Sequence, residues 1–452
     1  MSSVDALPRH VLVVGLQRTG RAVAATLAAR GVRVRAADAR PAAALGLEAA
    51  RLPPALTGVE LRLGEHDPGL LAGVDLVVPS PGVPRDAPLL VAAGQRGIPV
   101  RSEIELAYRL LACPIVAITG TNGKSTTVTF VGLALERAGR RTFVGGNLGT
   151  PLIAAVEGTP EVAVAEVSSF QLEWVEHFRP RVGCLLNLTP DHLDRHATFA
   201  QYRDAKARLF AAQEATDFAV VNADDPEAWA VAPGLRAQVI PLTTTPRAVG
   251  AVAGEGVVSL RRPGMPEERY DLRRTRLLGR HNLENLAAGV AVARLAGAPP
   301  PAVQEAIDTI VPLPHRLARV AERGGVTWLD DSKATNVGAA AKSVESLSTP
   351  VILLAGGVDK GGGYDLLVRS ARGRVRLALV FGAARDKIAA ALGEARIPVE
   401  RVQTLEEAVA AAAAAATPGD TVLLAPACAS FDMFADYAAR GRAFQAAVEA
   451  LP

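Results

Sequence analysis

The chain has 452 residues, 49% of them hydrophobic, with 49 Lys+Arg against 46 Asp+Glu for a formal net charge of +3. That length suits roughly two to four domains, each able to bury its own core, and the basic residues are scattered among acidic ones, which excludes the basic stripe of a nucleic-acid binder. No apolar run reaches the ~18 residues of a membrane span, the start MSSVDALPRH lacks the basic-then-apolar pattern of a secretory leader, and Cys113, Cys184 and Cys428 are spaced like buried thiols in a reducing, cytoplasmic setting.

Short apolar runs alternate with alanine-rich helical stretches, the signature of parallel sheets covered by helices on both faces. The expected class is α/β in three domains: a Rossmann-like N-terminal domain over 1–101, a central P-loop ATPase-like domain over 102–311 and a Rossmann-like C-terminal domain over 312–452. The first block opens with HVLVVGLQRTGRAVAATLAARG, in which Gly15 and Gly20 bracket a strand-to-helix turn and Asp38 ends the next strand, as in a dinucleotide fingerprint. Gln17, however, stands where bare backbone must approach a pyrophosphate, which argues against hydride transfer. A crevice for a different nucleotide explains the same residues, with Asp38 and Arg40 at its rim and Gly82, in SPGV, closing a neighbouring strand end. The plainer reading of Asp38 and Arg40 is a solvated turn pair.

The central block begins with CPIVAITGTNGKSTTVTF. A β-branched strand ends in a glycine turn and restarts as a helix, so backbone N–H groups converge on one point, and that point binds phosphate. Gly120, Thr121, Asn122, Gly123, Lys124, Ser125 and Thr126 form this turn, although Ile118 stands where the standard P-loop has its first glycine. Lys124 would reach the β- and γ-phosphates and the Ser125 hydroxyl would ligate Mg²⁺. Downstream, VAVAEV and VGCLLNL end at Glu166 and near Asp191 and His192, and FAVVNADDP is a further strand. Carboxylate and imidazole beside a P-loop suit divalent-cation handling.

Of the 49 basic residues only Lys124, Lys206, Lys333, Lys342, Lys360 and Lys387 are lysine. A chain so rich in arginine keeps lysine where a compact ammonium or a nucleophilic amine is needed. Lys206, in QYRDAKARLF, sits among arginines on an expected helix, where a plain surface charge would also be arginine. The third block carries the strands VTWLDDSKATN, VILLAGG, LALVFG and TVLLAPA, and the alanine run from Ala410 to Ala416 is a helix interior stopped by TPGD.

GTNGKST, GGNLGTP, VAEVSSFQLE, NLTPDHLDRH, YRDAKARLF, GRHNLENLAA, LPHRLARV, DDSKATN and PACASFDMFADYAARGRAF follow in this order along the chain and together resemble the Mur ligases. DSKATN and the SFDMF ending point to the D-glutamate-adding branch. The resemblance implies an ATP-dependent ligase of peptidoglycan precursor synthesis that phosphorylates the carboxylate of UDP-N-acetylmuramoyl-L-alanine and joins the acyl phosphate to D-glutamate. Two Mg²⁺ ions are implied, one on Ser125 and Glu166 and one on His192 and a Lys206 carbamylated by CO₂, with Lys124, Glu166, His192 and Lys206 as the catalytic set. ATP contacts are implied for Asn282, Asn285, Arg316 and Asp331; for the two asparagines the plainer reading is helix capping. Asp38, Arg40, Gly82, Asn147, Lys333, Thr335, Lys360, Ser430 and Tyr437 are implied substrate contacts, Tyr437 standing where phenylalanine is expected. The enzyme is expected to be a monomer without nucleic-acid or membrane partners. A folate polyglutamylating ligase should lack DSKATN, and a non-catalytic nucleotide-binding protein should lack Lys206 or His192.

Overall fold

The computed structural model describes residues 7–47, 53–64, 67–147, 149–254, 256–277, 279–361 and 363–451. Of the start read above for a leader, residues 1–6 lie outside the described residues, and its last residue, His10, opens the first strand. Three separate sheets form, as the alternation of apolar runs and helices requires. The first holds β1 (His10–Val14), β2 (Arg33–Asp38), β3 (Glu60–Leu63) and β4 (Leu76–Pro79), all parallel, in the order β3-β2-β1-β4.

The second sheet contains β5 (Ile115–Thr119), β6 (Thr142–Gly146), β7 (Val162–Glu166), β8 (Val182–Leu185), β9 (Phe218–Asn222), β10 (Gln238–Thr243), β11 (Gly250–Gly254), β12 (Val257–Arg261) and β13 (Glu268–Asp271). Its order is β13-β12-β11-β10-β9-β8-β5-β7-β6, parallel except for β12 and β13, which continue the edge as antiparallel hairpins. The third holds β14 (Ala318–Arg323), β15 (Val326–Asp330), β16 (Val351–Gly356), β17 (Val375–Phe381), β18 (Val399–Arg401) and β19 (Thr421–Leu424), in the order β14-β15-β19-β16-β17-β18 with β14 antiparallel.

Strands buried on both faces explain the continuous apolar runs. In β5, Ile115 and Ala117 pack into one core while Val116 and Ile118 pack into the core on the opposite face. β16 behaves alike, with Leu353 and Ala355 on one side and Ile352 and Leu354 on the other. The alanine run lies in the helix Leu405–Ala415, which begins at a Thr404 cap and ends at Ala416, before the turn. Cys184 and Cys428 are buried, and burial pushes both thiols up, that of Cys428 to about 11. Cys113 corrects the expectation for cysteine: it precedes β5 in the connection from the helix Glu103–Leu110, outside the sheet, and is partly exposed.

Sheet order places crevices at strand carboxyl ends where neighbouring connections diverge. In the first sheet that point lies between β1 and β4. Ser80 Oγ donates to the carbonyl of Gly15 at 2.8 Å, and a Cβ on Gly20 would lie 1.8 Å from the same carbonyl oxygen. This contact explains the Gly15–Gly20 spacing without any ligand. Gly20→Ala should therefore destabilise the chain by about 1–3 kcal/mol through forced backbone shifts, read as an earlier thermal unfolding transition; an unchanged transition would contradict the tight turn.

Candidate active site

The P-loop is built from backbone strain and asparagine staples. Gly120 and Gly123 have φ of 149° and 86°, outside the range most side chains tolerate, and a Cβ on Gly123 would lie 2.1 Å from Asn285 Oδ1. Asn187, past the end of β8, accepts from Asn122 N–H through Oδ1 at 2.9 Å and donates through Nδ2 to Asn122 O at 3.1 Å. Thr121 Oγ1 bonds Tyr202 at 3.0 Å. The helix Lys124–Arg137 starts directly after this turn, so its free N–H groups face the cleft. Thr126 faces the smaller of two adjoining cavities, of about 80 Å³, shared with Asn282 and Asn285.

Lys124 Nζ donates to the carbonyls of Gly120 at 2.9 Å and Thr121 at 2.8 Å. Ser125 Oγ donates to Glu166 Oε2 at 2.6 Å and accepts from Arg316 Nη2 at 2.7 Å, and Asn147 Nδ2 donates to Glu166 Oε1 at 2.7 Å. Burial works to raise the Glu166 carboxyl, yet Lys124, Ser125, Asn147 and Arg316 together hold it below the usual range, so it stays ionised.

Lys206, on the helix Phe199–Ala207, is 2% exposed. Its Nζ donates to Gly120 O at 2.9 Å and Thr119 Oγ1 at 3.4 Å and stands 4.8 Å from the Tyr202 ring centre. Burial, with Lys124 adding to it, pushes the amine well below its ordinary value. An ammonium without a carboxylate is costly at such a site, and an uncharged amine is the form that reacts with CO₂. His192 occupies a left-handed backbone position, φ 54°, with its ring edge-on to Phe170. Among the described residues no group of three or more His, Cys, Asp or Glu side chains is arranged to hold a metal ion. The residues present nonetheless fit Mg²⁺, which takes one or two protein oxygens and completes its shell with water and substrate phosphates; Ser125 Oγ and the ionised Glu166 supply that pair.

The C-terminal domain closes the cleft. A cavity of about 370 Å³ has Lys124, Ser125, Glu166, His192 and Lys206 on its central-domain wall and Lys333, Thr335, Lys360, Ser430 and Tyr437 on the opposite wall. Lys333 Nζ stands 3.8 Å from the centre of the Tyr437 ring, and burial pushes its amine down to about 8. The tyrosine thus keeps the aromatic face for a cation. Asn147 and Arg316 also line this cavity. Asn282 and Asn285 are not caps, for Gly279 precedes the helix Arg280–Leu295; both are buried inside it and Asn285 Nδ2 donates to Asn282 Oδ1 at 3.1 Å.

Asp38, Arg40 and Gly82 line neither cavity. Asp38 is buried, not solvated: it accepts from Leu16 N–H at 2.7 Å and from Arg40 Nε and Nη2 at 2.9 and 2.7 Å. Burial opposes its ionisation, but these donors, Arg40 first, hold its carboxyl at about 2. Gly82 lies exposed in the turn after β4, with nothing within 4 Å of the place a Cβ would take. Asn187, Tyr202 and Asn336 join the site without having been singled out. Their signal was their position inside NLTPDH, YRDAK and DSKATN.

Three family profiles match the chain: "Mur ligase MurD-like, N-terminal domain" over 9–102, "Mur ligase middle domain" over 118–293 and "Mur ligase, glutamate ligase domain" over 315–428. A UDP-N-acetylmuramoylalanine--D-glutamate ligase of Geobacter metallireducens is 47% identical, covering 98% of each chain. One from Pelobacter propionicus is 46% identical over 98% of this chain and 99% of its own. The crystal structure of a UDP-N-acetylmuramate-alanine ligase from Thermotoga maritima superposes with a TM-score of 0.58 at 17% identity, covering 97% and 98%; at that identity it speaks for the fold alone.

Asp331 carries the clearest pH signature. Burial lifts its carboxyl from 3.8 to about 6 despite the donor Ser343 Oγ and nearby Arg316. Between those two values the folded chain binds more protons than the unfolded one, so this group costs stability as pH rises from 4 towards 6 and the full cost persists above. Asp331→Asn should stabilise the protein at pH 8 by up to about 3 kcal/mol and leave it unchanged at pH 4. Denaturant unfolding at both pH values measures this; equal effects at the two would show that ionisation is not the source.

Proposed function

The chain belongs to the Mur ligase family, and from that premise we propose how its cleft makes an amide bond. It is an ATP-dependent ligase of peptidoglycan precursor synthesis that adds D-glutamate to UDP-N-acetylmuramoyl-L-alanine. A carboxylate is a poor acyl donor. The substrate's alanyl carboxylate is therefore phosphorylated first, and the glutamate amine attacks the acyl phosphate and releases phosphate. The observation that carries this reading is the cleft itself, in which a phosphate-binding turn faces Lys360 and Ser430 across a single cavity.

The P-loop N–H groups and Lys124 hold the β- and γ-phosphates, with Gly120 to Thr126 wrapping them. Asn282 and Asn285 hold the adenine from the smaller cavity, while Arg316 and Asp331 take phosphate and ribose. Bound Mg²⁺ would neutralise charge accumulating on the transferred phosphoryl group; Ser125 and Glu166 would hold one ion, His192 and a carbamate on Lys206 a second. Asn147 orients the acyl end of the nucleotide substrate, and Lys333, Thr335, Lys360, Ser430 and Tyr437 form the amino-acid pocket. The uridine end lies in the first domain, where Asp38 fixes the Arg40 guanidinium and Gly82 leaves its turn open. We read the enzyme as cytoplasmic and monomeric; among the described residues no helix is long and apolar enough to cross a membrane.

Phosphate release from ATP, measured with UDP-N-acetylmuramoyl-L-alanine and a panel of D- and L-amino acids, tests the reaction. Release should require D-glutamate, and release with L-amino acids alone would sink the specificity.

The carbamate has its own signature. As an anion on a metal it cannot be replaced by a cation, so Lys206→Arg should be as inactive as Lys206→Ala. The alanine variant leaves a space and lacks only an anionic ligand; acetate or formate at high concentration should restore part of its activity, and should do nothing for the arginine variant. If Lys206 were an ordinary cation on phosphate, arginine would retain activity and acetate would have no effect.

A further inference from the structure

Asp191 is a charged group of the cleft to which the chemistry above gives no part. It follows β8 in the central domain and is 7% exposed. One oxygen, Oδ1, accepts from the backbone N–H of His192 at 3.0 Å and faces Lys360 Nζ at 3.5 Å. The other, Oδ2, accepts from Asn336 Nδ2 at 3.1 Å and stands 3.8 Å from His192 Nε2. Asn336 is anchored in turn, capping the helix Val337–Glu345 through Oδ1 and reaching Asn122 Oδ1 through Nδ2 at 3.2 Å. Lys360 and Asn336 belong to the C-terminal domain, so this central-domain carboxylate is aimed across the interface into the wall read as the amino-acid pocket.

An α-amino acid brings a carboxylate and an ammonium on one carbon, its nitrogen and nearest carboxyl oxygen about 3 Å apart by covalent geometry. The mirror image of that arrangement is an ammonium and a carboxylate held at the same spacing. Lys360 Nζ and Asp191 Oδ1, at 3.5 Å, are such a pair. We propose that Asp191 binds the ammonium of the amino-acid substrate while Lys360 binds the carboxylate on the same carbon. This deepens the ligase reading and rests on its placement of D-glutamate at Lys360 and Ser430. Asp191 then selects α-amino acids over dicarboxylates that lack the amine, and holds the nitrogen on the side of the cavity that carries Lys124, Ser125 and His192.

Glutarate carries the two carboxylates of glutamate and no amine, so it isolates the Asp191 contact. Wild-type enzyme should favour D-glutamate, by its KM, over glutarate, by its inhibition constant. Asp191→Asn, which keeps the shape and the Asn336 side of the site, should raise the KM for D-glutamate by about thirtyfold or more, the loss expected when a buried charge pair is truncated. The glutarate constant, the KM for ATP and the Mg²⁺ dependence should hold within about threefold. Should turnover be too slow to titrate, calorimetric titration of the full chain with D-glutamate and with glutarate yields the same ratio. Parallel weakening of both ligands would mean that Asp191 only sets Lys360 or docks the domain, and a raised Mg²⁺ requirement with the ligand ratio intact would mean that it serves a metal; either overturns the assignment alone. Wild-type enzyme that turns over no D-glutamate overturns the ligase reading and this assignment with it.

Discussion

Glu166 is the point through which the three sheets of this protein are tied. Its two oxygens take Ser125 Oγ on one side and Asn147 Nδ2 on the other. Ser125 is held from the C-terminal domain by Arg316, and the Asn147 carbonyl accepts from Arg18 Nη2 of the first domain at 3.4 Å. One line of hydrogen bonds therefore runs from domain to domain through a single ionised carboxylate. A buried carboxylate holds its charge only when donors surround it. Moving either outer domain strips a donor from the line and leaves the rest more costly to bury, so the cleft is sensitive to how the domains sit.

Around that carboxylate the cleft gathers more basic side chains than acidic ones. Lys124, Lys206, Lys333, Arg316 and Lys360 share one cavity with Glu166, Asp191 and Asp436. Burial pushes the amines of Lys124, Lys206 and Lys333 down, and their neighbouring cations push further. Such a site resists folding but is preorganised for an anion, because fixed donors need no reorganisation when negative charge arrives. A triphosphate, an acyl phosphate and a dicarboxylic amino acid are all anionic. Their charge supplies the compensation that Glu166, Asp191 and Asp436 alone do not.

The strands carrying the site were legible because each is a continuous apolar run ending in glycine or a polar turn, as in ITGTNGKST. The antiparallel edge β11 to β13 was not: GAVAG is short and bounded by glycines, ERYD is short and mostly polar, and they are held by packing of β11 against helix Arg280–Leu295 and of β13 against helix Pro300–Thr309, which the local pattern does not contain. Motif position revealed Glu166, His192, Lys206 and Lys333, but not their partners. Asp38 was readable as the end of a strand, yet its burial beneath Arg40 follows from the Leu16 N–H that β1 delivers to it. Asp191 and Lys360 are 169 residues apart, and no periodicity records that two domains bring them together. The asparagines of GRHNLENL look like caps because Asn favours that role; the helix begins one residue after Gly279, placing them inside instead.

The division of labour between lysine and arginine has a physical source. Several arginines in this chain grip a carboxylate with two nitrogens, as Arg40 does Asp38, Arg294 does Glu268 and Arg376 does Asp420. That planar fork is always charged and fixes geometry. Lys124 and Lys206 instead end on backbone carbonyls or a hydroxyl, contacts that either form of the amine can make. Arg440 sets the limit of the rule. Fully buried, it donates to Ser332, Gly356 and Cys428, and burial lowers it only to about 10, so it stays a cation and joins the ends of β15, β16 and β19. An arginine can therefore be buried here as a fixed structural charge, whereas a position that must lose its proton and gain another group requires an amine. Lys206 is buried almost as deeply as Arg440, but burial pushes its amine well below the ordinary value, so it lacks that resistance to deprotonation.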